Sequence, residues 1–407
     1  MPHDRLAKIL AADVRERAKA GPLKGSENVI AGTIPPSGDS GPRVLLEDEG
    51  DKPFIRMNSN GYLGLSFNAQ VVGASEAAVA LFGTGPGAVR FISGTWVAHV
   101  ALEERLGEFH DREAAMIFSS AYATVMGILQ PLIDEHTSVI SDELNHNSII
   151  NAVRLAKSAE RRIYGHLDMA ALEQGLQETA KTSRRAVIVT DGIFSMRGDH
   201  APLDEIVALA EKYDGDFAEN VLVVVDDSHG VGAFGDTGRG TEEYCNVKAD
   251  LLIGTLGKAF GVNGGYVAGA QAFIDYLRET SPFYIYSNPI TPGEAAAAAQ
   301  AINIVDSPSG HTLLAHLRAM TAKFEQGLVD LGFETISGDH PVVPLMVRDT
   351  DRTAALVAHL LDHGVLATGL NFPVVPKGDE EIRFQISADH TEADIDDVLD
   401  ILSLFEN

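Results

Sequence analysis

An apolar run, Val221 to Val225, passes directly into Asp226, Asp227, Ser228 and His229, and Gly230 follows at once. A second run, LLIGT (251–255), leads to Lys258, with Gly257 before it and Gly261 after it. Ligands of open parallel sheets bind at the carboxyl ends of the strands, so acids and a histidine at such an end are either a loop cap or a site. Lys258 taken alone is a solvated loop residue or a reactive amine. It is not the lysine of a phosphate-binding P-loop, because Ala259 rather than Ser or Thr follows it and the glycine spacing is wrong. A nucleotide triphosphatase is therefore disfavoured. The two segments say more together. If both strand ends lie on one edge of a sheet, Asp226 and Lys258 approach one small ligand. Pyridoxal phosphate needs that pair: a lysine for its Schiff base and a carboxylate that keeps its pyridine nitrogen protonated.

The same cofactor needs a phosphate cradle and a flat group against its ring. SSAYATVMG (119–127) follows the run AAMIF and has the small, polar start of a helix, whose free amides suit a phosphate or form an ordinary cap. LNHNSIINAV (144–153) follows SVISDE, which makes His146 a ring-stacking candidate or a hydrogen-bonded structural histidine. DGIFSMRGDHAPL (191–203) follows AVIVT and brings Ser195 to a strand end. Each signal is weak alone; four polar strand ends of the right kinds are the signal.

The elements that must position these groups read as alternating strands and helices. AAMIF (114–118), SVIS (138–141), AVIVT (186–190), VLVVV (221–225), LLIGT (251–255) and GYVAG (265–269) are candidate strands, separated by helical patterns such as HVALEERLGEF (99–109) and APLDEIVALAEKY (201–213). That rhythm predicts an α/β fold with a mostly parallel sheet covered on both faces. Residues 1–20 read as a helix and 21–53 as an extended arm. The alanine-rich GEAAAAAQAINIV, opened by Pro292, reads as a connector helix, and PVVPLMV (341–347), VLATGL (365–370) and IRFQIS (382–387) predict a smaller C-terminal α+β domain. The expected division is residues 1–55 for helix and arm, 56–290 for the large domain, and 291–407 for the connector and small domain.

Fifty-eight acidic against 31 basic residues give a net charge of −27, a field that repels nucleic acid and anionic membranes. Only eleven of the cations are lysine, which fits a salty cytoplasm or plain solubility. Cys245 is the one cysteine, so an internal disulfide and a cysteine-based metal cluster are excluded. The N-terminal segment carries charges throughout and has no continuous apolar core, unlike a signal peptide. No apolar stretch approaches the ~20 residues of a membrane span, and the expected location is cytoplasmic.

From SNGYLGL (59–65) to ISADHT (386–391) the chain resembles the α-oxoamine synthase family of fold-type I pyridoxal-phosphate enzymes. Within that family it looks most like the glycine C-acetyltransferases, or 2-amino-3-ketobutyrate CoA ligases. The most specific stretches are GAVRFISGT (87–95), SDELNHNSII (141–150), VDDSHGVGAFGDTGRG (225–240), GTLGKAFG (254–261) and PVVPKG (373–378). The resemblance implies a fold-type I transferase with pyridoxal 5'-phosphate on Lys258. Asp226 would pair with the pyridine nitrogen, His229 would bond the phenolic oxygen with Ser195 nearby, and His146 would stack on the ring. Ala121 and Tyr122 would offer backbone amides to the phosphate, and Thr255 its hydroxyl. It also implies a homodimer with shared active sites, in which Ser287 of YSNP (286–289) completes the neighbouring phosphate site. Asn60 and Arg383 would lie at the substrate, Arg383 as carboxylate anchor; on its own terms Arg383 is equally a strand salt bridge, although carboxylate binding is what its fork does best.

The reaction so implied joins an amino acid to an acyl-CoA, with Lys258 as the base that removes the α-proton, glycine and acetyl-CoA being the favoured pair. The sister reading pairs alanine or serine with a longer acyl thioester, as in 8-amino-7-oxononanoate synthases or serine acyltransferases, and an aminotransferase is a different reaction on the same fold. SMRGD departs from the family in placing Arg197 where relatives often carry an acid, as a contact for CoA or a substrate acid or as a surface salt bridge. Val262 and Pro289 are further departures, and the arm at 21–53 is longer than in the simplest members.

Overall fold

The computed structural model describes residues 4–19, 27–372 and 374–405. Its centre is a seven-stranded sheet in the order Ala114–Phe118, Gly265–Gly269, Leu251–Thr255, Val221–Asp226, Arg185–Asp191, Thr137–Asp142, Glu160–Tyr164. Every neighbouring pair from Leu251–Thr255 to Glu160–Tyr164 is parallel. The expected mostly parallel sheet is present, with one strand reversed: Gly265–Gly269 runs antiparallel to both of its neighbours. The cause is the length of the link. Residues 256–264 are too few for the crossover of a dozen or more residues that a parallel return needs, so the chain turns straight back. Lys258 lies in that turn.

All residues of Thr137–Asp142, Val221–Asp226, Leu251–Thr255 and Gly265–Gly269 are buried, as expected of strands covered on both faces. Successive residues divide between two cores. Val187, Val189, Leu222, Val224 and Ile253 pack on one face with the helices Ala121–Leu132 and Asn147–Leu155, whereas Ile188, Val223, Val225 and Leu252 pack on the other. Glu160–Tyr164, ERRIY, is a strand that the sequence pattern does not announce. It is the edge of the sheet, its exposed positions alternate, and an edge strand tolerates charges that a central strand excludes.

Two four-stranded sheets complete the chain. One is antiparallel, in the order Glu334–Thr335, Val342–Met346, Glu381–Gln385, Thr368–Leu370. The other joins three strands of the arm, Ile30–Ile34, Arg43–Leu46 and Pro53–Arg56, to Val365–Leu366. The run VLATGL is therefore two strands, divided at Ala367 because its first half pairs with the arm and its second half with Glu381–Gln385. The alanine-rich helix Pro292–Val305 is a core element and not a bare connector. Its small residues, Ala295, Ala298 and Ala301 among them, are fully buried where it packs on Ala69–Phe82 and Val97–Phe109.

A buried ion cluster ties four elements together at the first strand. Glu103 accepts from Arg90 through both carboxylate oxygens at 3.1 Å, from Arg278 Nη2 at 2.9 Å and from the backbone amide of Ile117 at 3.1 Å. Removing its charge leaves two arginines facing a neutral amide, so Glu103→Gln is expected to cost about 3–5 kcal/mol of unfolding free energy. Urea denaturation reads this directly; a loss below 1 kcal/mol would contradict it.

Candidate active site

The strand period decides which of the adjacent aspartates faces the cleft. Asp226 continues the face of Leu222 and Val224, beside the starts of helices Ala121–Leu132 and Asn147–Leu155, while Asp227 follows Val225 to the other side. Asp226 Oδ1 accepts from the Ser228 amide at 3.2 Å and hydroxyl at 2.6 Å, and the residue lines a cleft that Lys258, His146, His229, Ser195, Ala121 and Tyr122 also line. Asp227 instead accepts from the Thr241 amide at 2.6 Å and hydroxyl at 2.7 Å. A Cβ at Gly192, Gly230 or Gly240 would come within 2.3, 2.2 and 1.9 Å of its carboxylate, so three backbones close around this one side chain. Burial pushes Asp227 up to about 7. It is a strut of the loop.

Asp191 ends the adjacent strand, opposite Asp226 in the ladder and on the same face as Val187 and Val189. Burial, then the charge of Asp226, push it well above the carboxylate range. Its Oδ2 accepts the His146 amide at 2.9 Å, and its own amide donates to Asn145 Oδ1 at 2.8 Å. Asp191 is a site residue not expected from the sequence, although VIVTDG repeats the strand-then-acid pattern of VLVVVDD.

Lys258 faces these acids from the turn after Leu251–Thr255. Burial lowers its amine to about 8 against the opposing attraction of Asp226 and Asp191, and Arg383 adds to the lowering. Thr255 does not line the cleft; its hydroxyl donates to the Gly264 carbonyl at 3.2 Å and accepts from the Gly257 amide at 3.1 Å, bracing the turn. His146 caps helix Asn147–Leu155, its Nδ1 accepting from the Ser148 amide at 3.2 Å. The acceptor role puts the proton of the neutral ring on Nε2, and burial followed by Lys258 lowers its pKa. The ring meets Tyr122 edge-on at 6.3 Å.

Ala121 and Tyr122 open helix Ala121–Leu132, where Ser120 caps the Ala123 amide at 3.1 Å. The first amides of a helix have no intrahelical partner. A Cβ on Gly265 would stand 2.4 Å from Ala121 N, so glycine there lets the helix start press against the sheet edge.

The far side of the site comes from distant chain. Arg383, on Glu381–Gln385, donates Nη1 to the Ser195 carbonyl at 3.0 Å, while its buried Nε has no partner among the described residues. Gln385 on the same strand face donates to Asn60 Oδ1 at 2.5 Å. The Tyr62 hydroxyl lies 2.7 Å from His229 Nδ1 and 3.4 Å from Asn60 Oδ1. Burial, Lys258 and His340 hold His229 well below its usual pKa, so the ring is neutral. His340 donates Nε2 to the His229 carbonyl at 3.0 Å. Tyr62, His340, Gln385 and Glu381 had no signal of spacing, because they come from segments far apart in the chain. Burial raises Glu381 to about 8, against Arg383 and Arg197, and its Oε1 is also unpartnered among the described residues.

Like Thr255, Asn60 and Arg383 do not line this cleft themselves, Arg383 adjoining it through the Ser195 carbonyl, and two further residues stand elsewhere. Ser287 lies in an exposed segment beside Tyr286 and does not line the cleft of its own chain. Arg197 adopts the salt-bridge reading, its Nε 2.8 Å from Asp199, which also holds His166 at 3.1 Å.

A family model for aminotransferase class I and II matches residues 52–402. The 8-amino-7-oxononanoate synthase of Thermosipho melanesiensis is 40% identical over 351 residues, 86% of this chain and 87% of that protein. 8-Amino-7-oxononanoate synthase 1 of Bacillus subtilis is 38% identical over 364 residues, 89% and 90% of the two chains. Among solved structures, a serine palmitoyltransferase from S. paucimobilis with bound PLP–myriocin is similar at a TM-score of 0.87 and 27% identity, over 98% of both chains. No helix among the described residues is long and apolar enough to cross a membrane.

The lowered amine of Lys258 has a stability consequence. Between about 8 and its ordinary 10.5 the unfolded chain binds the proton that the folded chain has released, so stability rises with pH across that window. In cofactor-free protein, the unfolding free energy of the wild type should gain on that of Lys258→Met as pH rises from 8 to 10. A difference that is flat or falls would refute the assignment. Because Asp226 supports the charged amine, Asp226→Asn should push the Lys258 titration lower still, as read by NMR of labelled lysine.

Proposed function

The chain belongs to the aminotransferase class I and II family, as an α-oxoamine synthase that uses pyridoxal phosphate, and from that premise we propose that it joins L-alanine to a dicarboxylic acyl thioester to give 8-amino-7-oxononanoate. The nine-carbon product needs a seven-carbon acyl group and two carbons of alanine; the alanine carboxylate leaves as CO2 and the thioester releases its thiol. The identity of about two-fifths to 8-amino-7-oxononanoate synthases over most of the chain is the observation that carries this choice. The expected glycine C-acetyltransferase reaction finds no counterpart among these relatives. It stays as second reading because DDSHGVG (226–232) and PVVPKG (373–378) lean towards that branch.

The residues present fit the cofactor. An amine lowered to about 8 stands near a carboxylate on the next strand end, and a helix start with free amides presses on the same edge. Bound there, pyridoxal phosphate supplies an electron sink for the α-carbon of an amino acid. Lys258 holds the cofactor and then, as a partly neutral amine, moves the α-proton. Asp226 holds the proton on the ring nitrogen. With the cofactor bound, His146 would stack on its ring and neutral His229, itself held by Tyr62, would bond the phenolic oxygen with Ser195 nearby. The amides of Ala121 and Tyr122 take the phosphate at the positive end of their helix. Thr255 acts by bracing the lysine turn. Arg383 takes the substrate carboxylate, with Asn60, held by Gln385, on the same side. In a homodimer Ser287 reaches the neighbouring phosphate site, in keeping with its absence from its own cleft and with Phe91, Ile92 and Tyr286 exposed at 67%, 67% and 80%.

Thiol release decides the substrates. The cofactor-loaded protein is expected to release thiol with alanine and pimeloyl thioester, and not with glycine and acetyl-CoA or serine and palmitoyl-CoA. Release in another pairing alone would replace the alanine reading, and bleaching of the cofactor band by amino acid without any thiol release would point to transamination. Arg383→Lys keeps the charge and loses the fork, so kcat/KM for the amino acid should fall about 100-fold; an unchanged value would remove Arg383 from the carboxylate.

A further inference from the structure

We propose that the cavity beneath the N-terminal arm binds a medium-chain carboxylate. It holds about 340 Å³. At roughly 30 Å³ for each non-hydrogen atom, the share of a water molecule in the liquid, that is room for about eleven atoms, the size of an eight-carbon fatty acid. Ile34, Pro35 and Pro36 of the arm, with Val44 and Phe67, make its walls largely apolar.

The head group is set by Arg56. This arginine, exposed at the end of strand Pro53–Arg56, lines the cavity; partial burial lowers its pKa, and it has no carboxylate partner among the described residues. Arg383, to which the substrate carboxylate is assigned above, is likewise without a carboxylate partner among the described residues. Arg43 in the same cavity is paired with Asp394, and the arginines at other surface hollows are paired as well: Arg112 with Glu242, Arg239 with Asp306 and Arg278 with Glu103. One free guanidinium over an apolar hollow matches one carboxylate on an apolar chain. A polyphosphate such as a nucleotide fits poorly, because among the described residues no second free cation lines the cavity and Asp389 stands in its wall. Burial raises the Asp389 carboxyl, which weakens its repulsion of a single anion.

The cavity's lining shares no residue with that of the catalytic cleft. Its wall includes Ser59 and Gly61, the neighbours of Asn60, so an occupant adjoins the segment that Gln385 holds. The inference does not depend on which acyl group the cleft accepts.

Calorimetric titration of the cofactor-loaded protein with octanoate, octan-1-ol and acetate tests it. Octanoate should bind saturably, one per chain and more tightly than octan-1-ol or acetate. Arg56→Met should weaken octanoate at least about ten-fold while leaving octan-1-ol unchanged. Ile34→Trp, at the exposed roof, should fill the hollow and abolish octanoate binding, and it serves if the Arg56 variant does not fold. No saturable octanoate binding, equal binding of octan-1-ol or acetate, or octanoate binding unchanged in a folded variant would each overturn the proposal.

Discussion

The two-residue period of an extended chain, applied at the carboxyl edge of one sheet, is the constraint from which the site follows. Leu222, Val224 and Asp226 share a face, and so do Val187, Val189 and Asp191. The parallel register places the two acids opposite one another, so a slip of one residue would turn both away from the cleft. The sheet also sets the lysine. A link too short for a crossover folds back as an antiparallel strand, and its turn holds Lys258 at the edge where the acids end.

Burial tunes these groups more than any single pairing. It works on the lysine, on Asp191 and on both His229 and His340, in each case against the charged form. The outcome is an amine that is partly neutral near physiological pH beside histidines that are wholly so. Asp227 shows the same physics in a different part. Enclosed by three glycine backbones and the end of helix Thr241–Tyr244, it holds its loop in shape through two hydrogen bonds and takes no place in the cleft.

The antiparallel sheet reaches the cleft through one strand face. Glu381, Arg383 and Gln385 alternate inward, and each carries a buried polar atom without a partner among the described residues. Such atoms are costly unless something meets them, which supports the proposal that Arg383 takes the substrate carboxylate here. The arm strands extend the same region, since Pro53–Arg56 pairs with Val365–Leu366 and leads directly into the Asn58–Tyr62 segment.

Much of this was legible in the sequence. Strands covered on both faces must be apolar throughout, so VLVVV and LLIGT were visible, and the residues just past them, Asp226, His229 and Lys258, were visible as chemistry at strand ends. His146 and Ser195 were visible at strand ends in the same way, and the relation of those segments to a known family added their roles and the assignment of Arg383. The charged edge strand ERRIY was hidden because solvent on one side relaxes the demand for apolar residues. The reversal of GYVAG and the division of VLATGL were hidden because direction and partner belong to the sheet, not to the segment. Tyr62, His340 and Gln385 had to wait for the tertiary structure, which alone brings residues from both ends of the chain within hydrogen-bonding distance of His229 and Asn60. The sequence by itself determined which chemistry is available, because side-chain type and strand period are local. Only the tertiary structure decided how each group is charged and what it touches, because burial and contact are properties of the assembled core.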